Sequence, residues 1–150
     1  MHEQLISFET AKLAKEKEFN EYCKYFYTEE SGLCVIDDFD GDILTMLNDD
    51  LTIKETHYDC NGYFWYNELE DGTFEHYEPV KYIAPTQSLL QKWLREEYKI
   101  DIVIGSNYIG YNIILWNRNT NKNIKIEQNL FQYYEEALEQ GLQEALKLIK

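Results

Sequence analysis

Between residues 86 and 148 the hydrophobic pattern runs from helical to alternating and back to helical, and this order constrains the chain more than any other feature. Leu89, Leu90, Trp93, Leu94 and Tyr98 recur at i, i+1, i+4, i+5 and i+9, which is one face of a helix over 86–98. Pro85 suits its first turn, where no backbone donor is needed. Ile100 to Ile104 then alternates as a strand, Gly105-Ser106-Asn107 turns, and Tyr108 to Trp116 reads as a long aromatic and β-branched strand. Asn117 to Asn123 is a polar turn and Ile124-Lys125-Ile126 the next strand. Tyr134, Leu138, Gly141, Leu142, Ala145, Leu146 and Ile149 mark the inner face of a closing helix near 131–148, with Gly141 allowing close backbone packing. Helix, three strands and helix should therefore share one core containing Leu89, Leu90, Trp93, Ile102, Ile104, Ile113, Leu115, Leu138, Leu142 and Leu146.

The first half carries weaker signals. Ser7 is a good N-cap, with Phe8, Ala11 and Ala14 at helical spacing and Glu9 in the first turn, so a helix is expected over 7–18. Tyr22 to Tyr27 reads as a strand, Glu29-Glu30-Ser31-Gly32 as a turn and Leu33 to Ile36 as its partner. Ile43-Leu44 with Met46-Leu47 suggests a short helix, stopped by Asn48-Asp49-Asp50. Leu51 to Tyr58 alternates as a strand, and Asn61-Gly62 is a hairpin signal that makes Tyr63-Phe64-Trp65-Tyr66 the return strand. Together these elements predict a single α+β domain over 1–150, with antiparallel meanders packed by about three helices. A length of 150 residues suits one domain, and 44% hydrophobic residues with two prolines and seven glycines suit a folded one.

Charge is distributed unevenly. Residues 29–78 hold 15 acidic side chains and one basic one, Lys54, whereas the two flanks together hold 13 of each sign. A field of that strength repels phosphate backbones and anionic lipid, which disfavours direct nucleic-acid or membrane binding and leaves cations or basic proteins as charged partners. No apolar run approaches the ~20 residues needed to span a bilayer, and the N-terminus lacks a signal-peptide pattern. Three cysteines at irregular spacing suit free thiols in a reducing compartment, so a cytoplasmic location is expected.

Three blocks, Ile6 to Ala14, Ala84 to Glu96 and Tyr134 to Leu142, together resemble a group of small proteins from phages and prophages of gut Bacteroidetes. The resemblance implies a phage or mobile-element origin and expression in a bacterial cytoplasm. It carries no assigned activity and transfers no catalytic residue, and it leaves out residues 29–78.

Each candidate chemistry has a plainer counterpart. Asp38, Asp40 and Gly41 fall on the third, fifth and sixth positions of a calcium loop, but its first and twelfth positions would be Ile36 and Leu47, which cannot ligate. His57 and Cys60 have the spacing of half a zinc site, without a second pair. Neither a nucleophile elbow nor a phosphate loop is present. No metal, cofactor or catalytic residue is therefore assigned. Strand alternation sends Tyr63 and Trp65 to one face and Phe64 and Tyr66 to the other, so aromatics occupy both. The expectation is a non-enzymatic accessory protein that binds a basic host or phage protein through Asp37, Asp38, Asp40, Asp42, Tyr63 and Trp65. The alternative is a small hydrolase or metal-assisted enzyme using His57, His76 and nearby carboxylates.

Overall fold

The computed structural model describes residues 3–29, 32–36, 44–57, 66–68, 70–72, 74–76 and 80–150, with the backbone alone at 36, 44, 55–57, 66–68, 74–76 and 126–129. The chain is α+β. Among the described residues there are helices α1 (Phe8–Glu16), α2 (Gln87–Tyr98) and α3 (Tyr134–Leu148), with ten strands that pair antiparallel throughout. Contacts gather the chain into two compact units, Met1–Asn20 with Pro85–Lys150, and Glu21–Ala84.

The first unit holds the three helices and the sheet β10-β9-β8, made of β8 (Ile100–Ser106), β9 (Tyr111–Asn117) and β10 (Lys122–Phe131). Ser7 caps α1 by accepting from the Thr10 N–H, and Thr86 caps α2 by accepting from the Leu89 N–H. Pro85 stands one residue before that cap rather than in the first turn, and its carbonyl accepts from the Ile6 N–H at 3.0 Å. Alternation along β8 and β9 turns Ile100, Ile102, Ile113 and Leu115 to one face, where α2 and α3 cover them. Leu90, Trp93, Leu94, Leu138, Leu142 and Leu146 complete this core, while Leu89 and Ile104 remain half-buried. Phe19 joins it after α1, with its ring edge-on to Trp93 at 5.2 Å. The closing helix begins at Tyr134, so its first turn starts later than the pattern suggests, and Tyr134 is exposed instead of inner.

Both edges of this sheet depart from a regular open ladder. Arg118 donates its N–H to Lys99 O at 2.9 Å and Asn107 to Gly110 O at 3.0 Å. Both pairs continue the β8–β9 register, so Asp101, Val103 and Gly105 exchange bonds with β9. Ile100, Ile102 and Ile104 must then aim their backbone groups at the outer edge, and there the Ile102 carbonyl is taken by Gln91 Nε2 at 3.0 Å. On the other side β10 is interrupted by register shifts between Asn123 and Lys125 and between Glu127 and Phe131.

The second unit is a meander, β1 (Tyr25–Thr28), β2 (Gly32–Ile36), β3 (Leu44–Leu47) and β4 (Ile53–His57), extended by the two-residue β7 (Tyr82–Ile83) in the order β4-β3-β2-β1-β7. A separate ribbon pairs β5 (Tyr66–Glu68) with β6 (Phe74–His76). Phe26, Thr28, Leu33 and Cys34 are its buried residues from β1 and β2. Leu44–Leu47 is a strand and not the expected helix. A four-residue apolar run does not distinguish the two locally, and pairing with β2 on one side and β4 on the other decides it. The Asn61-Gly62 turn and Tyr63-Phe64-Trp65 lie outside the described residues.

Gly141 sets the spacing of α3 against the sheet, since a Cβ there would meet Ile102 Cγ2 at 2.8 Å and Ile113 Cγ2 at 3.2 Å. These branch methyls are fixed by strand backbone and have little room to yield. Gly141→Val should destabilise by about 1–3 kcal/mol through overpacking, and Leu142→Ala by about 2–5 kcal/mol through the cavity it leaves. Equilibrium denaturation with urea measures both, and unchanged midpoints would refute this packing.

Candidate functional site

Asp37, Asp38, Asp40, Asp42, Tyr63 and Trp65 lie outside the described residues, as do Cys60 and the calcium-like stretch around Asp38. Of the exposed acids that are described in the second unit, Glu21 precedes β1 and the others occupy turns: Glu29 after β1, Asp49 and Asp50 between β3 and β4, and Glu70 and Asp71 between β5 and β6. Because the meander is antiparallel, the β1–β2 and β3–β4 turns share one end of the sheet, which places Glu29 with Asp49 and Asp50 there. The β3–β4 turn is closed by Asn48 N–H donating to Thr52 O at 2.9 Å, with Leu51 left-handed at φ 67°. Asp50 accepts from the Thr52 hydroxyl and from the Thr52 N–H, and these bonds hold its carboxyl below the usual carboxylate range. The turn therefore presents a fixed negative charge at neutral pH.

His57 is on β4 of the five-stranded sheet and His76 on β6 of the two-stranded ribbon, so strand pairing does not place them in one sheet. Among the described residues, no three His, Cys, Asp or Glu side chains are grouped to hold a metal ion. Cys34 is fully buried on β2, and burial pushes its thiol up to about 11, against a hydrogen bond with Thr28 that lowers it. Burial, and secondarily Glu21, raises the Cys23 thiol as well. Neither has the lowered pKa of a nucleophilic cysteine.

One polar cluster is built with care, and it is in the first unit. Leu5 bridges Thr86, and Gln87 donates its N–H to Gln4 O at 2.8 Å, so the starts of α1 and α2 lie side by side. The Glu139 carboxylate of α3 reaches both. Its Oε1 accepts the Ser7 N–H at 2.7 Å and the Thr10 hydroxyl, and its Oε2 accepts Gln87 Nε2 at 2.9 Å. Gln143 Nε2 donates to Thr10 Oγ1 at 3.0 Å, and Gln87 Nε2 also reaches Glu135 O at 3.1 Å. Thr10 and Gln87 are buried polar residues, and each has its partners. A carboxylate placed at two positive helix ends, with both oxygens engaged, acts as a structural clasp more readily than as an acid or base. Sequence periodicity had no means of finding it, because Thr10 and Glu139 are 129 residues apart.

A cleft of about 380 Å³ lies at the other end of α3, walled by Ile100, Ile124, Leu148 and Ile149, with Tyr98 and Lys150 beside them. It holds neither a carboxylate side chain nor a histidine or cysteine, so it contains no acid–base pair or thiol nucleophile. No described helix is long and apolar enough to cross a membrane.

Glu139→Ala strips the acceptor from three donors, two of them on buried residues. At ~1–3 kcal/mol for a buried group left unpaired, the loss should reach about 2–4 kcal/mol in equilibrium denaturation. A loss within the ~0.5 kcal/mol of ordinary surface changes would show that the clasp contributes little. Cys34 makes a pH prediction of opposite sign to a paired carboxylate. The unfolded thiol titrates near ~8.5, while the folded one holds its proton to about 11, so this contribution to stability is intact below ~8.5 and is lost as pH rises through 11. Cys34→Ala should flatten that alkaline limb in a series of denaturation curves. An unchanged limb would remove Cys34 as its cause.

No protein-family model matches the chain, and comparison with curated proteins and with solved structures likewise gives no match.

Proposed function

We propose that the chain is a non-enzymatic accessory protein of a phage or mobile element that binds a basic protein of the bacterial host or of the phage, in the host cytoplasm. The observation that carries this reading is the coincidence of charge with fold: Glu21–Ala84 holds 16 acidic and 3 basic residues, while the rest of the chain holds 12 and 11. Nearly the whole net charge of -14 thus belongs to one compact unit. A compact source of field steers a cationic partner and repels DNA, RNA and anionic membranes. The fixed charge at Asp50, the grouping of Glu29 with Asp49 and Asp50, and the tyrosines and Trp65 in the same segment fit a recognition surface. The cluster Asp37, Asp38, Asp40 and Asp42 with Tyr63 and Trp65 belongs to this surface in the proposal. The resemblance of three blocks to phage and prophage proteins supports the origin.

The test pairs the chain with its Asp37, Asp38, Asp40, Asp42, Asp49 and Asp50→Asn variant. A protein captured from a Bacteroidetes host lysate by the unaltered chain is purified, and association rates are measured from low to high salt. Association with the variant should be at least ~10-fold slower at low salt, with a flatter salt dependence and an unchanged melting temperature. Equal rates at every salt concentration would remove electrostatic steering and return the acidic unit to a solvated surface.

A further inference from the structure

The first unit carries a second surface, chemically distinct from the acidic unit. Tyr108 is 98% exposed and Ile109 63% exposed at the tip between β8 and β9, and Leu130, Tyr133 and Tyr134 are exposed where β10 passes into α3. These two stretches are neighbours. Tyr111 pairs with Phe131, a Cβ on Gly110 would lie 2.6 Å from Phe131 O, and the Tyr111 and Tyr134 rings meet edge-on at 5.9 Å. Five large apolar side chains therefore share one end of the unit, where scattered single exposures would need no explanation.

The tip is held in place. Asn107 Oδ1 accepts from the Ile109 N–H at 2.8 Å and from the Gly110 N–H at 3.0 Å, and Asn107 N–H donates to Gly110 O. Tyr108 and Ile109 are thus presented by a closed turn, which lowers the ordering entropy that a partner would otherwise have to offset. At the other half of the patch Tyr133 occupies the N-cap of α3 and makes no side-chain capping bond. Ser, Thr, Asp or Asn would satisfy an N–H there, so the residue at this position serves the helix poorly and the surface well.

Charge selects the occupant. Glu135 and Glu136 are exposed in the first turn of α3, and residues 106–111 and 130–139 contain no Lys, Arg or His. Tyrosine faces attract cations, and a guanidinium can stack on a ring while donating to a carboxylate. We infer that the patch formed by Tyr108, Ile109, Leu130, Tyr133 and Tyr134 is a protein-docking surface for a segment that places arginine beside apolar side chains. It is independent of the acidic-unit reading, because every residue in it lies in the other unit.

A random-peptide display library is panned against the full chain and counter-selected on the Tyr108→Ser, Ile109→Ser variant. Both altered side chains are exposed, so the variant should keep its melting temperature, and counter-selection removes peptides that merely adhere to the acidic unit. The surviving peptides should carry Arg next to apolar residues. Synthetic copies should bind at least ~10-fold more weakly to Tyr108→Ser and several-fold more weakly to Glu135→Gln, Glu136→Gln. Tyr133→Ser should raise the melting temperature and weaken binding together, a combination that a purely structural residue would not give. Survivors without basic residues would overturn the assigned chemistry. Failure of any peptide to survive counter-selection, or equal binding to all variants, would overturn the surface itself. Loss of salt steering at the acidic unit would leave these outcomes untouched, so the two readings fail separately.

Discussion

The place of α1 in the first unit depends on bringing Gln4–Ile6 back to Pro85–Gln87 across an intervening stretch of more than seventy residues. Two backbone bonds make that closure, Ile6 N–H to Pro85 O and Gln87 N–H to Gln4 O, and the Glu139 carboxylate then spans both helix starts. Loop-closure entropy grows only slowly with length, so a long insertion is tolerated once its base is fixed. The clasp also explains why α1, which packs against α3, holds its position: its first turn is tied through Ser7 and Thr10 to a helix more than a hundred residues away.

Helices were legible in the sequence where caps and periodicity agreed. Ser7 and the Leu89–Tyr98 stripe locate α1 and α2 within about two residues, and Gly141 on the inner stripe of α3 marks the close approach to Ile102. The strand pair β1–β2 and the three strands after α2 were readable in their existence but not in their extent: Tyr22 precedes β1, Tyr108 stands at the turn before β9, and β10 runs from Lys122 to Phe131 rather than over Ile124 to Ile126 alone. Failures came where the deciding partner is distant. Leu44–Leu47 becomes a strand because two neighbours pair with it. Tyr134 falls on the apolar stripe of α3 by spacing, yet it is the first residue of the helix, and although its ring meets Tyr111 it stays exposed. Glu139 reads as an ordinary exposed helix acid until Thr10 and Gln87 are seen beside it. The proposed acidic site could be read as composition but not as geometry, since spacing along the chain does not fix how loop carboxylates are arranged in space.

Charge and shape divide the work between the units. The first is close to neutral, and its packing is concentrated on Leu90, Leu94, Leu142 and Leu146, all fully buried. The second is strongly acidic, and five of its exposed acids, Glu29, Asp49, Asp50, Glu70 and Asp71, stand in turns. The buried row on β1 and β2 is uncharged, with Phe26 opposite Cys34 and Thr28 one alternation away. A chain can thus carry a large net charge without placing it against its own core.

Edge protection narrows the ways in which such a protein can meet another. Strand addition needs a regular edge with free backbone groups. On β8 the Ile102 carbonyl is taken by Gln91, β10 is broken by two register shifts, and β7 is only two residues long. The remaining edge of the five-stranded sheet, β4, carries Lys54, a residue type that discourages edge-to-edge pairing. In the proposed reading, recognition rests on side chains at the ends of strands and helices rather than on strand addition. Glu29, Asp49 and Asp50 of the second unit and Tyr108, Tyr133 and Tyr134 of the first stand at such ends, so the two proposed surfaces both lie away from the sheet edges that could pair with another strand.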